Sequence, residues 1–89
     1  GIFIPNAFSP NGDGLNDRLV IFSNGVQSVT FSVFNRWGEK IFSSDDLDVT
    51  WDGTFNGEFL LVDDYVYTIS AILSDGTSLT KSGTVTLVR

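Results

Sequence analysis

The sequence predicts an all-β domain, an Ig-like antiparallel β-sandwich of about seven short strands, on three observations. Apolar and polar residues alternate through Gln27–Asn35 and Tyr65–Leu73, the period-two pattern of half-buried strands. Turn residues recur between the apolar runs, at Asn24-Gly25, Asn35-Arg36-Trp37-Gly38, Asp52-Gly53 and Ser74-Asp75-Gly76-Thr77. No stretch combines 3.6-residue periodicity with helix caps. The Cys…Trp…Cys spacing of antibody domains is missing, since the chain has no cysteine. The likeness is therefore to the sandwich architecture in the loose sense.

Taken in order, Ile2–Ile4 is a short apolar run stopped by Pro5 and reads as an edge strand. Leu19–Phe22 is a continuous apolar run, at that length a strand, closed by the Asn24-Gly25 turn. In the next strand Val29, Phe31 and Val33 share one face, and a turn at Asn35–Gly38 returns the chain through Glu39–Ser43 as a hairpin. Val49–Trp51 is a very short strand ended by Asp52-Gly53, and Thr54–Gly57 is a further turn. Phe59–Val62 reads as a short strand or as an apolar loop covering one end of the core, broken by Asp63-Asp64. Tyr65–Leu73 is the longest strand signal, and the turn at 74–77 pairs it with Ser78–Val88. Gly83 inside that last strand predicts a bulge or a close backbone approach.

Eighty-nine residues make one domain, and a chain this short needs a dense core. Eight Phe, two Trp and two Tyr provide one without disulfides, each buried ring removing about 150–250 Å² from water. Trp37 and Trp51 each stand beside a turn glycine and are expected to pack in or at the edge of that core, with the indole N–H on a carbonyl. Asp52 is expected to cap the turn at Gly53. The net charge is −6, which argues against nucleic acid, because phosphate neutralisation needs clustered Lys and Arg. It argues equally against attachment to anionic lipid. No apolar run approaches the ~20 residues of a membrane span, and Gly1–Ile4 is too short and lacks the basic start of a signal peptide.

Catalytic chemistry is thinly supplied. The absence of His and Cys removes Ser-His-Asp triads, cysteine nucleophiles and the usual zinc sites. Asp45/Asp46 and Asp63/Asp64 are neighbours in sequence, and neighbours on an extended chain point to opposite faces. No enzyme activity is expected.

The stretch from Pro5 to Asp17 holds both prolines of the chain, with Gly12, Gly14, three asparagines and two aspartates. The prolines are expected to break strand pairing, and the Asn and Asp oxygens to converge on a small volume. Asn11, Asp13, the Leu15 carbonyl and Asp17 alternate as the ligands of a calcium loop do. Against the EF-hand pattern, Ser9 takes the first acidic position and Val20 that of the bidentate Glu. A complete site would need further carboxylates, from Asp52 or from the Asp45–Asp48 loop. The alternative is that the loop satisfies its own backbone through Asx-turns and needs no cofactor.

Four stretches together resemble the gliding-motility-associated C-terminal domain, the type B sorting domain of the Bacteroidetes type IX secretion system. Ile4-Pro5-Asn6-Ala7-Phe8-Ser9-Pro10-Asn11-Gly12-Asp13-Gly14-Leu15-Asn16-Asp17 looks like its opening motif. Phe34-Asn35-Arg36-Trp37-Gly38-Glu39 resembles its Asn-Arg-Trp-Gly turn, and Trp51-Asp52-Gly53-Thr54 its Trp-Asp-Gly motif. Tyr65-Val66-Tyr67 with Gly83–Arg89 resembles its closing hairpin. The matches fall in the family's order and span almost the whole chain. The departure is Glu58–Asp64, where the family has a small Gly- or Pro-containing loop and this chain has Phe59-Leu60-Leu61-Val62.

The resemblance implies a single sorting domain over residues 1–89 at the C-terminus of a larger secreted protein. It implies a passenger N-terminal to it, export through the periplasm to the cell surface or medium, and outer-membrane secretion machinery as partner. Neither nucleic-acid binding nor membrane insertion is expected, and the domain is expected to act as a monomer. By resemblance, partner recognition falls to Asn11, Asp13 and Asp17, to Arg36, Trp37 and Gly38, and to the terminal strand ending at Arg89. The competing reading is a structural Ig-like spacer or adhesion module, with or without calcium.

Overall fold

The computed structural model describes residues 2–10, 17–48 and 50–88. Asn11, Asp13, Leu15 and Arg89 lie outside these described residues. The described chain contains no helix and eleven strands: β1 (Ile2–Phe3), β2 (Ala7–Phe8), β3 (Leu19–Val20), β4 (Phe22–Ser23), β5 (Val26–Phe34), β6 (Lys40–Ser44), β7 (Thr50–Trp51), β8 (Thr54–Phe55), β9 (Glu58–Phe59), β10 (Asp63–Leu73) and β11 (Ser78–Leu87).

One five-stranded sheet, in the order β2-β11-β10-β5-β6, dominates. Two hairpins, β5·β6 and β10·β11, are joined by antiparallel pairing of β5 with β10, and β2 joins β11 in parallel, with Thr86 beside Ala7 and Leu87 beside Phe8. The alternation in β5 and β10 decides the inner face. Val29, Phe31 and Val33 lie opposite Ala71, Ile69 and Tyr67, and all six are buried. Leu19 and Trp51, partners in the β3·β7 pair, are buried in the same core, as is Ile21. Short strand pairs thus supply the layer facing the large sheet.

Rings bind this core together. Trp51 lies 5.2 Å from Phe8, 5.8 Å from Phe42 and 5.9 Å from Tyr65, the last edge-on. Phe31 continues the cluster to Phe42 and Tyr67. Tilted and edge-on pairs at these separations add about 0.5–1.5 kcal/mol each beyond area burial.

Several local outcomes differ from the sequence expectations. Leu19–Phe22 splits into β3 and β4, which pair with different partners. Gly25, at φ 71, accordingly marks a change of sheet, and its carbonyl accepts the Ser74 N–H at 2.9 Å. Thr54–Phe59 folds as its own hairpin, with Asn56 at φ 53 and Gly57 at φ 80, the left-handed pair of a type I′ turn. Asp63 and Asp64 do not break a strand; they begin β10 and pair with Leu87 and Thr86. Gly83 does mark a close approach. It sits opposite Tyr67, and a Cβ there would lie 2.7 Å from the phenol oxygen.

Candidate functional site

Described residues of three of the four sequence signatures reach the core. Phe8 and Pro10 of the first reach Gly53 of the third, where a Cβ would lie 3.1 Å from Leu87 and 3.2 Å from Pro10. With φ at +81 as well, only glycine fits there without strain. Trp51 donates its indole N–H to the Thr54 carbonyl at 3.2 Å. Asp52 accepts from the Thr54 N–H at 3.1 Å and from its hydroxyl at 2.6 Å, so the Asp52 cap holds the turn as expected. The Thr54 hydroxyl, above all, holds the Asp52 carboxyl below its ordinary value. Tyr65 and Tyr67 of the fourth signature are buried.

The second signature points the other way. Asn35 shapes the turn by itself: its Oδ1 accepts the Trp37 and Glu39 N–H groups, both at 3.0 Å, and its amide donates to Glu39. Its carbonyl accepts the Gly38 N–H at 3.0 Å. A turn locked in this way projects Arg36 and Trp37 outward. Trp37 is 79% exposed, so the expectation that it packs in the core fails; Asn35 satisfies the turn without it. The Arg36 guanidinium lies 5.7 Å from the Trp37 ring centroid, within cation–π range.

Arg36 also fixes the neighbouring segment. Its Nε and Nη2 both donate to Asp63 Oδ2, at 2.9 and 2.6 Å, while Asp63 Oδ1 accepts the Asp64 N–H at 2.8 Å. The Arg36 bond holds the Asp63 carboxyl below its usual range, with the Asp64 amide adding to the effect, and Asp63 raises Arg36 in turn. Between them opens a hollow of about 220 Å³, walled by Trp37 on one side and Leu60, Leu61 and Val62 on the other, with Tyr65 and Asp63 also lining it. Tyr65 donates its hydroxyl to the Leu61 carbonyl at 2.7 Å, and Leu60 donates its N–H to the Gly53 carbonyl at 3.1 Å. The loop is therefore anchored by its backbone while Leu61 stands 78% exposed, Val62 58% and the adjacent Phe59 75%.

The sequence brought out Arg36, Trp37 and Gly38, which the structure keeps together, and missed the other wall. The sequence reads Phe59–Val62 as a short strand or as an apolar loop covering the core; Glu58–Phe59 is a strand, but of this run only Leu60 packs against the core. The usable signal was an unalternating apolar run at the one place where the chain departs from the family pattern. Asp17 is half-buried just before β3 and does not line the hollow. Among the described residues no three His, Cys, Asp or Glu side chains come together as a metal-binding group.

A family model described as CHU_C, a type IX secretion signal domain, matches residues 2–87. No curated protein matches the chain. Among solved structures, the chain is similar to CopC from Methylosinus trichosporium OB3b, at 15% identity and a TM-score of 0.66, covering 99% of this chain and 89% of that one. At that identity the likeness speaks for the β-sandwich fold alone.

Proposed function

This chain belongs to the type IX secretion signal domain family, and from that premise we propose that it directs a passenger in the same polypeptide across the outer membrane by binding components of the secretion machinery. The observation that carries this reading is the family match over residues 2–87. A secretion signal family is not an enzyme family, and no helix among the described residues is long and apolar enough to cross a membrane. Its role is then to be recognised, after passage through the periplasm and before release to the surface or medium. Arg36, Trp37 and Gly38 are supported as recognition residues by geometry, since their turn is displayed on the surface. Asn11, Asp13, Asp17 and Arg89 join them on resemblance.

The test is a fluorescent passenger with a Sec signal, fused to the domain and expressed in hosts with and without the type IX machinery. Machinery-dependent appearance at the surface or in the medium is expected; retention in the periplasm of the competent host refutes the reading. Calcium at Asn11, Asp13, the Leu15 carbonyl and Asp17 is a separate proposal, resting on their alternation in the sequence. Binding to the folded state raises the melting temperature by mass action. A melting temperature equal in millimolar calcium and in excess EDTA would sink it.

A further inference from the structure

We infer that the hollow between Trp37 and the Leu60–Val62 loop is a docking pocket for one apolar side chain of a protein segment flanked by Lys or Arg. This rests on the sorting reading and names the chemistry of its partner. Three large apolar side chains that line the hollow, Trp37, Leu61 and Val62, stand more than half exposed. Contiguous apolar surface with a polar rim marks interaction sites. About 220 Å³ admits a single leucine or phenylalanine side chain and no folded element. The walls are set before any partner arrives, through the Asn35 turn, the Tyr65 bond to the Leu61 carbonyl and the Arg36–Asp63 pair. Preorganised walls reduce the ordering cost of association.

The rim decides the partner's charge. Asp63 lines the hollow, Glu39 is bonded to Asn35 of the turn, and Asp64, which accepts from the Thr86 hydroxyl on the opposite face, adds only its longer-range charge. Against these carboxylates stand Arg36, already engaged by Asp63, and Lys40, which follows Glu39 in the chain. The whole chain carries −6, so its field attracts a basic segment and repels an acidic one. The exposed Trp37 ring gives such a segment a second contact for a cation.

Binding is tested by titrating the ¹⁵N-labelled domain with acetyl-Lys-Phe-Lys-amide, against acetyl-Glu-Phe-Glu-amide and acetyl-Lys-Ser-Lys-amide. The first is expected to move the Trp37 indole and the 61–63 amide signals, with the controls at least about fivefold weaker. Leu61→Ser is expected to weaken it about tenfold. Absence of shifts, shifts confined to another surface, or equal binding of the Glu peptide overturns the inference. Leu61 contributes only its carbonyl to the loop's anchoring, so the variant retains that bond; if it nevertheless melts early, Trp37→Ser is read in its place. The secretion assay separates the two levels. If the parent domain fails to export its passenger, the sorting reading fails. If the parent exports and a Trp37→Ser/Leu61→Ser variant exports equally well, the docking inference falls alone.

Discussion

Tyr67 lies against the backbone of Gly83, and this contact shows how one residue choice fixes another across the β10·β11 pair. A Cβ at position 83 would stand 2.7 Å from the phenol oxygen and 2.9 Å from Cζ. Gly83→Ala must displace a buried ring that also packs 5.9 Å from Phe31, and is expected to cost about 1–3 kcal/mol of stability, as overpacking does, read as an earlier denaturant midpoint. Asp52 acts through charge. Its carboxyl titrates below the ordinary 3.8 because it accepts from the Thr54 hydroxyl and amide. A depressed folded-state value means the stabilisation is fully present above the unfolded-state value and is lost as pH falls through the folded one. Asp52→Asn is therefore expected to lower the melting temperature at pH 7 and to narrow the gap to the parent below about pH 4. A gap that widens in acid contradicts this assignment.

The two long hairpins were legible at the scale of elements because alternation, turn residues and length agree in them. β5 buries Val29, Phe31 and Val33, and β10 buries Tyr65, Tyr67, Ile69 and Ala71, the faces that the sequence predicts. The short pairs were less legible. Leu19–Phe22 carries no local mark that it changes partner midway, since its partners lie at Thr50–Trp51 and Ile2–Phe3, far away in the chain. The Leu60–Val62 loop misled for a different reason. Apolar composition signals burial only where there is something to bury against, and here Leu60 alone reaches the core. Replacing Leu61 and Val62 together by serine is accordingly expected to change stability by no more than about 0.5 kcal/mol per site. Leu60→Ala, by contrast, removes core contacts and is expected to cost about 1–2 kcal/mol. Thermal melts of the two variants side by side check the contrast.

For the molecule as a whole, the open sheet leaves two edges to manage. β6 carries a bulge at Ile41, between the Val33–Phe42 and Phe34–Lys40 pairings, and begins with a lysine. On β11, among the described residues, β2 covers only Thr86 and Leu87. Along the rest of that edge Lys81 falls on the inner-face parity, opposite buried Ile69, yet is itself exposed. A bulge and an inward-register lysine are both devices that discourage edge-to-edge pairing. Lys81→Val is expected to raise the dimer and aggregate fraction at high concentration, seen by light scattering, with little loss of monomer stability. The parallel contact of β2 with β11 also sets a schedule. Ala7 and Phe8 wait for Thr86 and Leu87, so the first strands of the sheet cannot lock until nearly all of the domain has been synthesised. A chain whose translation stops before Thr86 would therefore lack the finished sheet.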